Sequence, residues 1–282
     1  MITRFAPSPT GLLHLGHAFS ALTAWDRAQA AGGQFLLRIE DIDAPRCRPE
    51  FEQAIYHDLA WLGLVWPEPV MRQSERGRGY QAAVTRLTGL GLTYPCSCTR
   101  ADIRTALSAP QEGVSSDPTQ GPDGPVYPGT CRNRPMSDHR DGDAIRLDLA
   151  RALAVTGPIR FTETGPDRAG PRAPRAQEMV TSIGDVVLAR KDIGTSYHLS
   201  VVVDDGAQAI TEIVRGMDLF AATPIHVVLQ RLLGLVTPRY HHHRLIRDEA
   251  GKRLAKRDDA RAIRAYRQAG HSPADIRRLV GL

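Results

Sequence analysis

Two histidines near the N-terminus, His14 and His17, are spaced so that they can share one ligand. The stretch that contains them reads Arg4-Phe-Ala-Pro-Ser-Pro-Thr-Gly-Leu-Leu-His14-Leu-Gly16-His17. The N-terminus of a helix offers unbonded N–H groups and the positive end of its dipole, so it attracts phosphate. Imidazole N–H groups at this spacing can reach the same phosphate oxygens, and Gly16 leaves room for a flat group such as adenine. The stretch therefore predicts a nucleotide-phosphate site where a helix begins.

A set of thiols is the second chemically distinctive group. Cys96, Cys98 and Cys131 lie in one region, whereas Cys47, the remaining cysteine, stands apart. In a chain that we expect to be cytoplasmic, this grouping is more typical of metal binding than of disulfide bonds. Three thiolates with one further ligand complete a tetrahedral zinc site, and three reduced thiols without a metal are the alternative.

Two further clusters are less specific. Residues 241–243 are consecutive histidines; they cannot all face one ion from a regular element, and we expect them to be partly exposed. The net charge is +5, and basic side chains crowd one stretch near the C-terminus. Such a stretch suits a polyanion such as ATP or nucleic acid, with a solvated helix face as the alternative. Its members are Lys252, Arg253, Lys256, Arg257, Arg261, Arg264 and Arg267.

The histidine stretch belongs to a strand–loop–helix–strand pattern. Residues 2–5 form an apolar strand, residues 6–11 form a tight loop with two prolines and a glycine, and apolar residues at helical spacing continue to Gly32. Residues 35–39 then form a second strand that ends at Glu40. This order predicts parallel strands joined by a right-handed crossover, and therefore an α/β fold.

The rest of the chain adds further elements and one low-complexity segment. Helices are predicted at 49–63 and 224–233, and strands at 185–189 and 210–214. Residues 108–125 are dominated by Ser, Pro, Gly, Gln and Asp, which predicts a mobile loop. The sequence contains neither a long apolar run nor a signal-peptide pattern, so we expect no membrane span and a cytoplasmic location.

The N-terminal stretch resembles the first signature of class I aminoacyl-tRNA synthetases, and its full form Arg-Phe-Ala-Pro-Ser-Pro-Thr-Gly resembles specifically the glutamyl-tRNA synthetase family. Three later segments resemble that family in the expected order, namely Arg38-Ile-Glu40-Asp-Ile-Asp43, Tyr197-His-Leu-Ser-Val-Val-Val-Asp204-Asp205 and Glu212-Ile-Val-Arg215-Gly216. The segment Arg253-Leu-Ala255-Lys256-Arg257 is similar to the family's second, lysine-containing signature, with arginine in place of the first lysine and alanine in place of the serine.

The resemblance implies a division of the chain. A class I synthetase Rossmann-like catalytic domain would comprise residues 1–95 and 180–235, interrupted by an inserted zinc-bearing subdomain at residues 96–179. Residues 236–282 would form the lysine loop and a short helical C-terminal region. Full-length glutamyl-tRNA synthetases continue into an anticodon-binding domain, whereas this chain ends at Leu282, so we expect no such domain.

Roles for individual residues also follow from the resemblance. Glutamate would be bound by Arg4, Ser8, Glu40, Tyr197 and Arg215 at the ends of different strands, with the arginines facing its carboxylates and Glu40 its ammonium. ATP would be bound by His14, Gly16, His17, Arg253 and Lys256, of which His14, His17 and Lys256 would be catalytic. Tyr127 would join Cys96, Cys98 and Cys131 as a ligand of one structural Zn²⁺.

The implied reaction is ATP-dependent activation of L-glutamate to glutamyl-adenylate, with Mg²⁺ held mainly by the ATP phosphates. The short chain resembles the glutamyl-queuosine tRNA(Asp) synthetases, a family that activates glutamate without tRNA and transfers it to queuosine at the wobble position of tRNA(Asp). The expected partners are L-glutamate and the anticodon arm of tRNA(Asp), and we expect a monomer. The alternatives are a glutamyl-tRNA synthetase fragment that charges tRNA(Glu) and a non-catalytic tRNA-binding paralogue.

Overall fold

The computed structural model describes residues 1–108, 119–190, 192–246 and 261–282. Its strands are β1 (Ile2–Phe5), β2 (Gln34–Ile39), β3 (Met71–Arg72), β4 (Thr93–Cys96), β5 (Gln120–Gly121), β6 (Gly124–Pro125), β7 (Ala144–Leu147), β8 (Phe161–Glu163), β9 (Gly170–Arg172), β10 (Val187–Ala189), β11 (Glu212–Gly216) and β12 (Arg239–His243). Its helices are α1 (Leu15–Ala30), α2 (Pro49–Trp61), α3 (Gly77–Gly89), α4 (Arg100–Ser108), α5 (Leu149–Thr156), α6 (Ala176–Ser182), α7 (Tyr197–Ala207), α8 (Thr223–Leu232), α9 (Ile263–Gln268) and α10 (Pro273–Val280). No helix among these described residues is long and apolar enough to cross a membrane.

Two mainly parallel sheets adjoin at the centre of the molecule. In the first, β2 lies between β1 and β3, and all three strands are parallel. In the second, β12 lies parallel between β11 and β8, and β9 adds an antiparallel edge. The sheets meet where Thr211 N donates to Ile2 O at 3.0 Å, so the combined order is β3-β2-β1-β11-β12-β8. The order reverses between β1 and β11, which is the position where a doubly wound sheet binds ligands.

Helix α1 connects β1 to β2 through its apolar face. Leu15, Phe19 and Leu22 recur at helical spacing and are buried. The chain then turns tightly into β2, and at Gly33 a Cβ would lie 1.9 Å from Met1 O, so the turn can pass the start of β1 only with glycine. The predicted strand–helix–strand unit with parallel strands is thereby confirmed.

One buried carboxylate joins α7 to α3 and to the turn before it. Asp204 has no exposed surface and accepts hydrogen bonds from Tyr80 Oη at 2.7 Å, Gln73 Nε2 at 3.0 Å and Arg76 Nε at 3.2 Å. A buried carboxylate is costly unless its oxygens are paired, and here donors from two neighbouring segments pair them. The contact therefore sets the position of α7 against the rest of the domain.

The stretch between β3 and α7 differs in part from the expected insert. It contains an antiparallel sheet of β4, β7 and β10, and a hairpin of β5 and β6. Within the predicted mobile loop, residues 109–118 lie outside the described residues, whereas residues 120–125 form this hairpin instead of a loop. Strands β8 and β12 join the parallel sheet although the sequence assigned them to the insert and to the C-terminal region. The division of the chain into three parts remains a proposal. Its boundaries would assign strands of one sheet, β8, β11 and β12, to different parts.

The prediction that residues 241–243 are partly exposed is wrong. These histidines form most of β12, and all three are buried. Because β12 lies between β11 and β8, both of its edges are paired within the sheet, and such central parallel strands are usually buried on both faces. The buried rings are hydrogen-bonded; for example, His242 Nδ1 donates to Glu163 Oε2 at 2.5 Å. A strand rich in histidine is therefore tolerated in the interior because most of its ring nitrogens have partners; His243 Nε2 has none among the described residues.

We expect Tyr80→Phe to lower the free energy of unfolding by about 1.5–3 kcal/mol, because it removes one hydrogen bond to the buried Asp204 carboxylate. Asp204→Ala should cost more, about 3–5 kcal/mol, since it leaves several buried donors without an acceptor. Urea unfolding followed by circular dichroism measures both values. Gln81→Ala, at an exposed position of α3, is the matched control. If Asp204→Ala is no more destabilising than Gln81→Ala, the carboxylate does not hold α7 in place.

Candidate active site

The two N-terminal histidines open helix α1 and cap it reciprocally. His14 is the N-cap residue, and its Nδ1 accepts a hydrogen bond from Gly16 N at 3.1 Å. In return, His17 Nδ1 accepts a hydrogen bond from His14 N at 3.2 Å. A neutral imidazole that accepts at Nδ1 carries its proton on Nε2. Both rings, whose centroids are 3.8 Å apart, therefore have an Nε2–H donor at the helix N-terminus.

These histidines line a cavity of about 420 Å³ at the carboxyl ends of the parallel strands. Its wall includes Gly216 from β11, His243 from β12 and Ser8 from the loop after β1. Gly16 also lies in the wall, and a Cβ at this position would be 3.0 Å from Cε1 of His14. The absence of a side chain at Gly16 thus lets the His14 ring fold over the start of the helix, in addition to leaving space for a ligand.

The loop between β1 and α1 connects this cavity to the end of β2. Glu40 N donates to Pro7 O at 3.0 Å, which holds the loop against the strand end. Ser8 Oγ lies 3.3 Å from Thr10 Oγ1, and both residues line the cavity. The predicted glutamate-binding residues Ser8 and Glu40 are therefore joined to the predicted ATP-binding residues by one short loop.

A buried ion-pair network links β1 and β2 to α7. Arg4 pairs with Asp205 through Nε–Oδ1 and Nη2–Oδ2 contacts of 2.9 and 3.2 Å. Arg38 Nη1 donates to the same Asp205 Oδ1 at 2.7 Å, and Arg38 Nη2 donates to Glu40 Oε1 at 3.1 Å. Burial would raise the pKa of Asp205, but the two guanidinium charges outweigh it and lower that pKa. Arg4 and Glu40, both predicted to bind glutamate, thus belong to one network.

Arg215, near the end of β11, has a different environment. Its Nε donates to His242 Nε2 at 3.1 Å, its Nη1 to His226 Nδ1 at 3.0 Å and its Nη2 to Thr223 Oγ1 at 2.8 Å. A guanidinium has five N–H donors in one plane, so these contacts leave one N–H on each terminal nitrogen. Charged N–H donors of this kind form strong hydrogen bonds with carboxylates.

Tyr197 begins helix α7 instead of ending a strand, which corrects the expectation for this residue. It lines a second cavity, of about 620 Å³, whose wall also contains Cys96 and Cys98. The centroid of its ring lies 5.8 Å from that of His226, the imidazole that contacts Arg215. Tyr197 is therefore close to the Arg215 environment although it comes from a helix.

The clustered thiols lie together with Tyr127. The Sγ atoms of Cys96, Cys98 and Cys131 are all within 4.8 Å of one another. The Tyr127 hydroxyl oxygen lies 3.4 Å from Cys96 Sγ and 3.5 Å from Cys98 Sγ. The same oxygen accepts a hydrogen bond from Cys131 N at 2.8 Å. The four side chains named from the sequence thus converge on one point.

The separations within this cluster fit four ligands around one ion. Sulfur ligands at about 2.3 Å from a tetrahedral ion lie about 3.8 Å apart, and the Cys98 and Cys131 Sγ atoms are 3.5 Å apart. Burial and hydrogen bonds with the thiols raise the pKa of Tyr127, so its phenolate needs positive charge nearby. The Arg146 guanidinium, 3.8 Å from the centre of the Tyr127 ring, supplies part of it.

The predicted lysine-loop residues Arg253 and Lys256 lie outside the described residues, and their roles remain predictions. The described chain resumes at residue 261 beside the start of α1, where Ile263 N donates to Leu13 O at 2.9 Å. The C-terminal end of the loop is therefore anchored next to the histidines that it is expected to serve.

Sequence reasoning gave no role to Asp205, Arg38 or the histidines around Arg215. One signal was available, because Tyr197 and Asp205 are eight residues apart and share a face of α7 if the segment is read as a helix. The intervening valines are more typical of a strand and hide this spacing. For His226 no local signal exists, since its contact to Arg215 depends on how α8 packs on β11.

Comparison with solved structures places the fold in a known class. The crystal structure of glutamate-tRNA synthetase from Elizabethkingia anophelis is similar to this chain with a TM-score of 0.78 and 24% sequence identity. The match covers 99% of this chain and 61% of that one, and at this identity it shows the fold alone. The sequence also matches the family of class I tRNA synthetases (E and Q), catalytic domain, over residues 1–144 and 155–282. The sheet order, the capped histidines and this match define a class I aminoacyl-tRNA synthetase catalytic fold.

Curated relatives narrow the class. A protein of Rhodobacter capsulatus named glutamyl-Q tRNA(Asp) synthetase is 58% identical over 287 residues, which covers 100% of both chains. A protein of the same name from Nitratidesulfovibrio vulgaris is 41% identical, over 97% of this chain and 83% of the relative. The chain belongs to the glutamyl-Q tRNA(Asp) synthetase family, whose members are ligases of the class I aminoacyl-tRNA synthetase type.

We expect Gly16→Ala to weaken ATP binding without destabilising the fold. The added Cβ would press on the His14 ring and shift its Nε2–H donor, so the KM for ATP should rise about tenfold, a loss of about 1.4 kcal/mol. The melting temperature should change little, because the preference of a helix for alanine over glycine, about 0.5–1 kcal/mol, opposes the weakened cap from His14. Gln29→Ala, at an exposed position of α1, is the control. An unchanged KM for ATP would show that the orientation of His14 does not matter for binding.

Proposed function

We propose that this protein activates L-glutamate with ATP, without needing tRNA, and transfers the glutamyl group to queuosine at the wobble position of tRNA(Asp). The observation that carries the proposal is the 58% identity, over the full length of both chains, to a relative named glutamyl-Q tRNA(Asp) synthetase. The Arg215 environment agrees with it, because the described partners of Arg215 are uncharged and leave two N–H donors for an acidic side chain.

Glutamate makes three demands on the pocket, and each has a candidate. Arg215 binds the side-chain carboxylate with its two remaining N–H groups. Glu40 pairs with the substrate ammonium. Burial raises the pKa of Glu40. The positive charge of the bound ammonium lowers this pKa again and favours the ionised carboxylate. Arg4 attracts the reacting carboxylate. Ser8 lines the cavity of about 420 Å³, and Tyr197 lines the cavity of about 620 Å³.

Activation is a displacement at phosphorus. An oxygen of the substrate α-carboxylate attacks the α-phosphorus of ATP, the bond to the bridging oxygen breaks, and pyrophosphate leaves. His14 and His17 donate their Nε2–H groups to phosphate oxygens as negative charge grows on them. Mg²⁺, bound with ATP, contributes further charge stabilisation. Lys256 and Arg253 are expected to close over the same phosphates, and positioning supplies the rest of the acceleration.

Transfer uses the second cavity in this proposal. The cavity of about 620 Å³ adjoins Tyr197 and is large enough for a nucleoside. A hydroxyl of the cyclopentenediol of queuosine attacks the acyl carbon of glutamyl-adenylate, its proton is lost, and AMP leaves. An unmodified guanine has no such hydroxyl, so the modification defines the acceptor.

The way in which the buried arginines are held supports independence from tRNA. Arg4, Arg38 and Arg215 are already fixed by protein groups, so RNA is not needed to orient them. Preorganised donors of this kind lower the cost of binding a substrate. The tRNA(Asp) anticodon arm is expected to contact basic side chains near the C-terminus. Among these side chains, Arg267 has its Nη1 atom 3.5 Å from Asp58 Oδ1. The basic residues at 252–257 lie outside the described residues. We further propose that the protein acts as a monomer in the cytoplasm.

Zinc is the metal that we assign to the thiol cluster. Thiolate ligands in tetrahedral geometry favour Zn²⁺, and four protein ligands leave no open position, which is typical of a structural site. Cys96, Cys98, Tyr127 and Cys131 would hold it, and the ion would tie the end of β4 to the segment after β6.

Glutamate-dependent exchange between ATP and labelled pyrophosphate should occur with protein, Mg²⁺ and glutamate alone. Glutamine, which lacks the charged side-chain carboxylate, should be at least about a hundredfold worse, because Arg215 would face an uncharged amide. The assay is run with and without total tRNA. Strict dependence on added tRNA would point to an ordinary glutamyl-tRNA synthetase mechanism.

Labelled glutamate should transfer to tRNA(Asp) that contains queuosine, but not to the same tRNA from cells unable to make queuosine. The control removes the 3′ end of the tRNA with a nuclease, since periodate would also cleave the cyclopentenediol. Labelling should survive this trimming. Loss of labelling after trimming, or a preference for tRNA(Glu), would contradict the proposed acceptor.

Purified protein should contain near one zinc ion per chain, measured by inductively coupled plasma mass spectrometry, and Cys98→Ser should lower the content. Tyr127→Phe removes one ligand and should weaken zinc retention against a chelator by about ten- to a hundredfold. Cys47→Ser, distant from the cluster in sequence, is the control. Full retention in Tyr127→Phe would exclude the phenol as a ligand and leave the three thiols with another group.

A further inference from the structure

A continuous series of hydrogen bonds runs from Asp123 to Arg215. Asp123 Oδ2 lies 2.7 Å from His198 Nε2, His198 Nδ1 lies 2.9 Å from His226 Nε2, and His226 Nδ1 lies 3.0 Å from Arg215 Nη1. The four residues belong to four elements, which are the β5–β6 turn, α7, α8 and β11. The series therefore connects the hairpin of the insert to the guanidinium that we assign to the glutamate side chain.

Chemistry dictates the direction of every bond in this series. A guanidinium can only donate, so His226 Nδ1 must accept from Arg215. His226 then carries its proton on Nε2 and donates to His198 Nδ1. His198 in turn carries its proton on Nε2 and donates to Asp123, whose carboxylate can only accept. Burial and the neighbouring Arg215 charge lower the pKa of His226 well below its usual value, which agrees with a neutral ring.

A second branch holds Arg215 from its other side. Arg215 Nε donates to His242 Nε2 at 3.1 Å, so His242 carries its proton on Nδ1 and donates it to Glu163 Oε2. Both branches end at a carboxylate, but the two ends differ in exposure. The Glu163 side chain is fully buried, whereas 62% of the Asp123 side chain is exposed. Asp123 is therefore the terminus that can be altered without opening the core.

We propose that Asp123 is a positioning residue for glutamate binding, acting on Arg215 through His198 and His226. The proposal rests on the proposed function of Arg215. With Asp123 in place, only one tautomer of each imidazole satisfies all the bonds. Without it, the Nε2–H of His198 loses its acceptor, and the alternative tautomer of His198 would turn an N–H towards that of His226. The hydrogen bond from Arg215 Nη1 to His226 Nδ1 would then be weakened, and the guanidinium would be held less firmly in position.

Asp123→Ala and Asp123→Asn test this role in the full chain by pyrophosphate exchange. Asp123→Ala should raise the KM for glutamate about tenfold, while the KM for ATP and the kcat at saturating glutamate change by less than about threefold. Asp123→Asn keeps an oxygen that can accept from His198, so its effect should be smaller. Asp141→Ala, which removes an exposed carboxylate from the same insert, is the control and should match the wild-type protein. Melting temperatures should fall by no more than a few degrees, since the Asp123 side chain is largely exposed and the main cost is the lost acceptor of His198.

Histidine tautomers provide a readout that a merely structural role would not move. In protein with ¹⁵N-labelled histidine, NMR should show Nε2–H tautomers for His198 and His226 and an Nδ1–H tautomer for His242. Asp123→Ala should alter the signals of His198 and His226 and leave those of His242 unchanged.

The outcomes separate this inference from the function on which it rests. If the wild-type protein shows no glutamate-dependent exchange, the proposed function fails, whereas the NMR experiment still tests the hydrogen-bond series. If the wild-type protein is active and Asp123→Ala leaves the KM for glutamate unchanged, the positioning role is overturned. A raised KM with unaltered tautomers at His198 and His226 would also overturn it, because the effect would not travel through the imidazoles.

Discussion

The arrangement of side chains at the carboxyl edge of the sheet depends on hydrogen bonds to buried guanidinium groups. Arg4, Arg38 and Arg215 are 5%, 0% and 5% exposed, and a cation removed from water is costly unless most of its N–H groups have acceptors. Those acceptors come from elements far apart in the chain, since Asp205 lies on α7 and His226 on α8. The helices can therefore dock on the sheet in one arrangement, which fixes the positions of these guanidinium groups.

The arginines divide into two electrostatic kinds. Arg4 and Arg38 share the Asp205 carboxylate, and Arg38 also pairs with Glu40, so two carboxylates face these two cations. The hydrogen-bond partners of Arg215 in the described chain are neutral rings and a hydroxyl, so its charge has no carboxylate in direct contact. A low-dielectric surrounding strengthens the attraction of such a charge for an anion. In the described part of the chain, this edge of the sheet thus contains two arginines paired with carboxylates and an arginine, Arg215, whose partners are uncharged.

The insert contributes to the site in two ways. Its thiol cluster forms part of the wall of the cavity that Tyr197 also lines, so an ion bound there would stabilise the wall beside the reacting group. Its hairpin brings Asp123 to the end of the imidazole series that reaches Arg215. Both contributions join a peripheral segment to the centre of the sheet, and they explain why the insert is packed against α7 instead of standing apart from the domain.

Local chemistry was readable from the sequence. The position of His14 and His17 at the start of a helix was predicted and is confirmed. Their reciprocal capping of α1 was not predicted, although it involves groups only three residues apart. The thiol cluster was likewise recognisable from residue type, and the family resemblance added Tyr127 to it. In the structure, the Tyr127 hydroxyl lies next to these thiols. The fold class followed from the alternation of strand and helix and from family motifs, because both are properties of short segments.

Tertiary structure decided the partners of the charged groups. Arg4 and Asp205 are 201 residues apart in the chain, and no periodic pattern connects them. The burial of His242, the helical start at Tyr197 and the contact of His226 with Arg215 were likewise missed or misjudged. Each depends on which strands become neighbours, since a buried polar group is stable only where a distant segment supplies its acceptor. The sequence by itself determined which groups could do chemistry, and the packing of the sheet determined which of them hold one another in place.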